Sequence, residues 1–478
     1  MAKMIIAGER VGAKSGKTIE VKDPATGEVV DTVPRADASD VDAAVEAAAR
    51  AFPAWASTGG LQRAAIMQKA AELIRQHIDE IATLLTREQG MPLRNTKDQV
   101  GRVSAGLEYY AGLADKIRGD YVSLKEPEGS FGFVIKRPVG VIAAIAPWNF
   151  PLTLMANKVC PALAAGCTVV LKPASTTPLA TLRCIELMHD AGLPKGVVNV
   201  VTGPGTEVGD ALTGHPKVAK IAFTGQTETG MHIMGIAARG VKRITLELGG
   251  SDPAIVCDDA DVEKAARAVA IDRFFNAGQA CLAVKRLFVF PQVAEQFMQL
   301  ISSRAQKLKV APGMAEGAQM GPLHTAQQRT EVEAQVQDAV KRGAKVLAGG
   351  KRPEGAPYDT GNFYLPTVLR DVPEDSRMAT EEVFGPALPI FVVKDLDEAI
   401  ERANASRYGL GSSIFTRDLA KAKIAAERLD AGYTWVNTIK VAYDELPFGG
   451  VKYSGFGKEH GIEALDGYVE RKSVVLAP

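Results

Sequence analysis

The sequence predicts an α/β protein built from two or three domains. Three observations carry this. The chain has 478 residues, more than one ordinary hydrophobic core organises. From residue 139 short apolar runs of strand length alternate with helical patterns, and a second such series starts near Pro253. Continuous rather than alternating apolar runs, separated by helices, signify parallel sheets covered on both faces.

In chain order, residues 38 to 54 read as a helix of periodic Ala and Val, with Ser39 or Asp40 as candidate N-cap. Residues 61 to 88 and 94 to 117 read as long amphipathic helices. Val139 to Ala146 and Thr168 to Leu171 are predicted strands, followed by a helix from Pro178 to Ala191. Val197 to Val201 is a strand, Glu207 to Thr213 a short helix, Ala219 to Thr224 a strand and Thr227 to Ala238 a helix. The second series opens with Ala254 to Cys257 as strand and Asp261 to Asn276 as helix, with Asp258, Asp259 and Asp261 available to cap its positive end. Residues 119 to 136 fit neither series. Weak alternation on both sides of Pro127-Glu128-Gly129 reads as an antiparallel hairpin.

Bulk properties exclude several classes. Lys plus Arg and Asp plus Glu both number 56, and no block of like charge occurs. That leaves no electrostatic footprint for nucleic acid or an anionic membrane. The apolar run at the start is too short for a secretory signal. The longest candidate span, Val139 to Ala156, is broken by Pro147, Asn149 and Pro151. A cytoplasmic protein is expected. The five cysteines, Cys160, Cys167, Cys184, Cys257 and Cys281, are odd in number and form no C-x-x-C pair. Neither a metal site nor a disulfide framework is suggested. Four of them sit in apolar surroundings and read as small buried hydrophobes.

Cys281 has different company, in Phe275-Asn276-Ala277-Gly278-Gln279-Ala280-Cys281. Spacing alone leaves it equally a buried thiol in a helix-to-strand connection. Asn149, within Pro147-Trp148-Asn149-Phe150-Pro151, reads by itself as a turn residue bonding its own backbone. Glu247 ends an apolar strand before Leu248-Gly249-Gly250 and could merely cap or pair. A thiol, a carboxylate and an amide are nevertheless a sufficient set for acyl chemistry through a thioester: nucleophile, base and oxyanion donor.

The three runs together, in this order, strongly resemble the aldehyde dehydrogenase superfamily, over nearly the whole chain. The resemblance implies that Cys281 attacks an aldehyde carbon. It makes Asn149, with the Cys281 backbone N–H, the oxyanion donor and Glu247 the base for the deacylating water. It assigns Lys158 and Glu459 to a proton relay behind Glu247. NAD or NADP is implied as cofactor. Gly203-Pro204-Gly205-Thr206-Glu207-Val208-Gly209 is a weak dinucleotide fingerprint with the wrong last spacing, though Gly205 and Gly209 remain candidates. Phe223-Thr224-Gly225-Gln226-Thr227-Glu228-Thr229-Gly230 runs from a strand into a helix N-terminus and suits a pyrophosphate better. Gly225 and Gly230 match the family loop. Gln226 stands where the family usually carries Ser, so backbone contacts are expected at Thr224 to Gln226.

The resemblance places Lys172 on the adenosine ribose. Ser175 stands where NAD-preferring members often carry Glu, which leaves room for NADP. Glu382 would hold the nicotinamide ribose and Phe384 pack beside the nicotinamide, although Glu381-Glu382 read blind is a solvated acidic pair. Trp148, Leu248 and Gly249 complete the cofactor set. Leu154, Asn157, Ala280, Leu282, Leu446 and Phe448 would line the aldehyde tunnel. Members specific for succinate semialdehyde tend to carry Arg where Asn157 stands, so uncharged aliphatic or aromatic aldehydes rank first and semialdehydes second; Lys440 could lend a charge.

The implied architecture is a Rossmann-like cofactor domain (1–118 and 139–248), an α/β catalytic domain (249–445) and a small antiparallel oligomerisation strand system (119–138 and 463–478). A homodimer or homotetramer is expected, because the hairpin and Val469 to Leu476 would otherwise leave open edges. A relative that passes its acyl group to coenzyme A and a non-enzymatic scaffold protein are the alternatives. The second would not need Cys281, Glu247 and Asn149 together.

Overall fold

The computed structural model describes residues 1–125, 127–439 and 442–477. Lys440 lies outside the described residues. Among those described, two large sheets dominate. The first runs, edge to edge, Glu9–Val11, Met4–Ile6, Val198–Val200, Thr168–Lys172, Val141–Ile145, Val218–Thr224, Arg243–Glu247 and Gly455–Phe456. Its five central strands are parallel. Numbered by chain order they run 3-2-1-4-5, the dinucleotide-binding order, whose crevice opens at the carboxyl ends of strands 1 and 4. Those ends are Ile145 and Thr224.

Period-two geometry explains why these strands are apolar throughout. Val141, Ala143 and Ile145 enter one core, while Ile142 and Ala144 enter the core on the other face. The helices Pro151–Ala165 and Leu179–Asp190 cover the second of these faces.

The second sheet is ordered Lys345–Ala348, Thr367–Arg370, Ala387–Val392, Val284–Val289, Asp252–Val256, Gly411–Phe415 and Tyr433–Val436. All pairings but the first are parallel. A third, three-stranded sheet joins Asp120–Ser123, Phe131–Pro138 and Val469–Leu476, the last two antiparallel over eight paired positions. The strand pairing expected between the hairpin and the C-terminal strand is therefore present within one chain.

Three local expectations need correction. The first helix, Ala38–Ser57, is capped by Asp37, whose side chain accepts from the Ser39 and Asp40 N–H groups while Asp40 reaches back to the Asp37 N–H. The cap lies one residue before the apolar period begins, which periodicity cannot register. The single helix expected over 61–88 is two, Gly60–Gln76 and Ile78–Gln89, divided at His77. Of the three aspartates offered as caps, only Asp261 caps Val262–Phe274. Asp259 instead accepts from Thr416 Oγ1 and from the Arg417 and Asp418 N–H groups, and Asp258 pairs with Lys421.

Candidate functional site

Three chain segments meet at the crevice. The first follows Val141–Ile145: Pro147 and Pro151 bound a stiff turn, and Pro151 opens the next helix where its missing N–H costs nothing. Trp148 and Asn149 stand on this turn. The second is the Thr224-Gly225-Gln226 turn into Thr227–Arg239, whose N-terminus has no side-chain cap. The third is the connection from Phe275 to Cys281.

That connection is unusual backbone. Asn276, Ala277 and Gly278 are consecutively left-handed, at φ 49°, 53° and 72°. Asn and Gly adopt this region readily, whereas Ala pays strain there. A Cβ at residue 278 would come within 2.2 Å of the Gly385 carbonyl oxygen, so glycine alone fits. A buried polar net holds the turn. Asn276 Nδ2 donates to the Asn149 carbonyl at 3.0 Å, Gln89 Nε2 to Asn276 Oδ1 at 3.0 Å, Gln279 Nε2 to the Asn276 carbonyl at 2.9 Å, and the His324 N–H to Gln279 Oε1 at 2.8 Å. Asn149 Nδ2 donates to the Gln279 carbonyl at 3.1 Å, which leaves its second amide proton. The Asn149 turn and the Cys281 turn are thus fixed to each other.

They face one cleft of about 270 Å³. Trp148, Asn149, Thr224, Gly225, Gln226, Leu248, Gly249, Cys281, Glu382 and Phe384 all line it, with Pro147 and Glu381 from the same runs and with Gln328, Glu331 and Gln335, which the sequence did not single out. Cys281 is partly exposed and the other four thiols are buried. Low-polarity surroundings push the Cys281 thiol up to about 12, against the pull of the Lys285 ammonium. Glu382 is not a solvated acid: Oε1 accepts the Gly250 N–H at 3.1 Å and lies 3.2 Å from Lys285 Nζ. Glu381, its neighbour, pairs with Arg377.

Glycines shape the cleft. A Cβ at residue 249 would meet Glu382 Oε2 at 2.5 Å, and one at residue 230 would meet Leu248 Cδ2 at 2.5 Å. The uncapped helix N-terminus and these glycine-lined walls make a cradle that suits a dinucleotide's pyrophosphate. Lys172, Ser175, Gly205, Gly209 and Gly230 lie outside the lining of this cleft. Lys172 is the strand partner of Ile145, and burial lowers its ammonium to about 8. The Ser175 hydroxyl donates to the Gly203 carbonyl at 2.7 Å. No neighbouring atom would crowd a Cβ at Gly205 or Gly209, so nothing there calls for glycine.

Behind the cleft is a buried charged group. Lys158 Nζ donates to Thr224 Oγ1 and to Glu459 Oε1, both at 2.6 Å, and Asn157 Nδ2 donates to Glu459 Oε2 at 2.9 Å. Glu247 is 3 % exposed and neither carboxylate oxygen has a hydrogen-bond partner among the described residues. Burial, reinforced by the Glu459 charge, raises its carboxyl well above the usual range. Gly449 makes its room, since a Cβ there would come within 2.6 Å of Glu247 Oε1.

None of the six residues expected along an aldehyde tunnel lines the cleft itself. Leu154 and Asn157 lie on Pro151–Ala165 and are partly exposed, as is Leu282. Ala280 and Phe448 are buried, and Leu446 is 50 % exposed. Two residues that pack behind the lining also went unread in the sequence. His324 stacks on Trp148 at 4.6 Å and an 11° interplanar angle; a single His after an irregular loop gave no signal. Lys285 left one faint signal, a charge inside an apolar strand.

A parallel sheet in dinucleotide-binding order opens on a cleft that also holds a partly exposed thiol. The chain belongs to the aldehyde dehydrogenase family, whose model matches residues 11–474. It is 40 % identical to the NADP(+) succinate-semialdehyde dehydrogenase GabD of Escherichia coli K12, over 99 % of this chain and 97 % of that protein. It is 42 % identical to phenylacetaldehyde dehydrogenase of Pseudomonas fluorescens, over 99 % and 96 %. Among solved structures, PnpE in complex with nicotinamide adenine dinucleotide, a protein from Pseudomonas sp. WBC-3, superposes with a TM-score of 0.97 at 42 % identity, over 99 % of this chain and 97 % of that one. The protein is an NAD(P)-dependent aldehyde oxidoreductase.

Proposed function

We propose that the enzyme oxidises an uncharged aldehyde to the free acid through a thioester on Cys281. The observation that carries this is the sharing of one cleft by Cys281, Asn149 and the Thr224-Gly225-Gln226 turn. The partly exposed Cys281 thiol releases its proton to solvent in the cleft, and the thiolate sulfur bonds the aldehyde carbon. The resulting oxyanion is met by the free Asn149 amide proton and the Cys281 N–H. A bound nicotinamide would supply the acceptor for the hydride of that carbon. Glu382, Gly249, Leu248, Phe384 and Trp148 would hold and orient it, while Lys172, Ser175 and the residue 225–230 loop would hold the nucleotide half. Glu247 then takes a proton from water, the hydroxyl adds to the thioester, and the Cys281 thiolate leaves. Lys158 and Glu459 keep the carboxylates behind the cleft supplied with a cation and a proton path. A buried carboxylate with no partner among the described residues supports hydrolysis over transfer to coenzyme A.

We assign residues 1–118 and 139–248 to the cofactor-binding domain, 249–445 to the catalytic domain, and 119–138 with 463–478 to oligomerisation. We place the enzyme in the cytoplasm, where its five free cysteines stay reduced. The strand edge of Val469–Leu476 favours a homodimer or homotetramer. Light scattering at micromolar concentration is expected to give such an oligomer, and a stable monomer contradicts it.

Two further results are expected. The Asn157 side chain is neutral and its amide is already committed to Glu459, so it offers a distal carboxylate no charge partner. A screen with both cofactors, following reduced nicotinamide absorbance, should therefore give higher kcat/KM for hexanal or benzaldehyde than for succinate semialdehyde. A preference of about a hundredfold for the semialdehyde, roughly 3 kcal/mol in the transition state, refutes the ranking.

NADP should be used at least comparably with NAD, since Ser175 brings no negative charge and Lys172 is a cation at neutral pH. The Lys172 charge is lost as pH rises past about 8, so the advantage of NADP over NAD should shrink there. Ser175→Glu should depress NADP use selectively by repelling the 2′-phosphate. Rejection of NADP by the unaltered enzyme across the pH range overturns this reading of Ser175.

A further inference from the structure

Lys285 is a cation where the fold asks for none. It sits in Val284–Val289, a strand buried at all six positions, and its side chain is 0 % exposed. An apolar side chain would satisfy that strand, and burying an ammonium is costly unless its protons and charge are matched. They are matched by three acceptors. Nζ donates to the Ala280 carbonyl at 2.8 Å and to the Cys281 carbonyl at 2.5 Å, and lies 3.2 Å from Glu382 Oε1. It is also 5.8 Å from the centre of the Phe384 ring.

The two ends of this arrangement belong to different chain segments around the cleft. Ala280 and Cys281 belong to the connection that carries the thiol. Glu382 belongs to a separate segment, and the oxygen that faces Lys285 also accepts the Gly250 N–H. Lys285 therefore joins the backbone of the Cys281 connection to the Glu382 carboxylate, through an ammonium buried from solvent. Any displacement of Glu382 changes what Lys285 holds, and Lys285 has no solvent in which to find a substitute acceptor. Asp252 is the other buried acid near it.

We propose that Lys285 is a positioning residue that couples occupancy of the cofactor wall at Glu382 to the setting of Cys281. This rests on the reading of Glu382 as a cofactor contact. Engagement of Glu382 by a ribose loosens or redirects the ion pair, and the Cys281 carbonyl and thiol shift with it. The coupling is a local two-ended tether and needs no domain movement.

Alkylation tests it, because Cys281 is the only partly exposed thiol of the five. Iodoacetamide modification of Cys281 is followed by peptide mass with and without saturating NAD+ or NADP+, and cofactor affinity is measured separately by fluorescence. In the unaltered enzyme, cofactor is expected to change the alkylation rate at least fivefold. In Lys285→Met, cofactor still binds but the change falls below twofold. Glu382→Gln, which leaves Lys285 in place, should lose the response in the same way. The double variant should be no worse than either single, since both act on one link. A merely structural lysine would alter both rates together and leave their ratio intact. The proposal is overturned if either single variant keeps the full cofactor response, if the two effects add, or if the unaltered enzyme shows no response. Failure of the unaltered enzyme to bind either cofactor overturns the reading of Glu382 along with it.

Discussion

Cys281→Ala should abolish aldehyde oxidation, with a loss on the order of 10⁴-fold or more, because no other group in the cleft can form the covalent intermediate. The remaining four thiols are buried and cannot substitute. Removing one sulfur from a partly exposed position costs little packing, and the turn is held by Asn276, Gln279, Gln89 and His324 rather than by the thiol. Cofactor affinity and the thermal midpoint should therefore stay near those of the unaltered enzyme. Steady-state rates with a cofactor titration check both statements, and substantial residual oxidation would remove Cys281 from the nucleophile's role.

Glu247→Gln should separate the two halves of the reaction. The amide fits the same space beside Gly449 but cannot take a proton, so acylation and a burst of reduced cofactor persist while deacylation slows by roughly 10²–10³-fold. Intact-mass measurement during turnover should show the acyl adduct accumulating on Cys281. The pH dependence carries a sign. Burial favours the neutral Glu247 carboxyl, so the basic form is gained as pH rises, and deacylation by the unaltered enzyme should accelerate with pH above neutrality. Glu247→Gln should lose that acceleration. Deacylation at the normal rate in the variant would move the base elsewhere, with Glu459 next in line.

Much of this site was legible because its parts lie in contiguous runs. Cys281, Asn149, Thr224 to Gln226, Leu248-Gly249 and Glu382 with Phe384 each sit in a short motif at a strand or helix end, and all of them reach the same cleft. Turn-forming neighbours mark such places, since backbone that leaves a regular element needs Gly, Asn or Pro. Residues that work through long-range contacts left no such mark. Gln89 is 187 residues from the Asn276 side chain it holds, and His324 reaches Trp148 only through the fold. The break at His77 was missed for a related reason: apolar periodicity continues across it, while helix ends are set by local hydrogen bonds.

The sequence by itself determined the α/β class, the parallel runs and the types of group available for chemistry. Those follow from periodicity and side-chain identity, both of which are local. Only the tertiary structure decided the strand order that opens the crevice between Ile145 and Thr224, because sheet order depends on how crossovers pack and not on any one run. It also decided the electrostatic states. Glu247 and Glu459 look alike in the sequence, yet Glu459 is tied to Lys158 and Asn157 while Glu247 is buried without a partner among the described residues. Desolvation and ion pairing depend on what surrounds a group in space, and for both carboxylates those surroundings come from segments tens to hundreds of residues away.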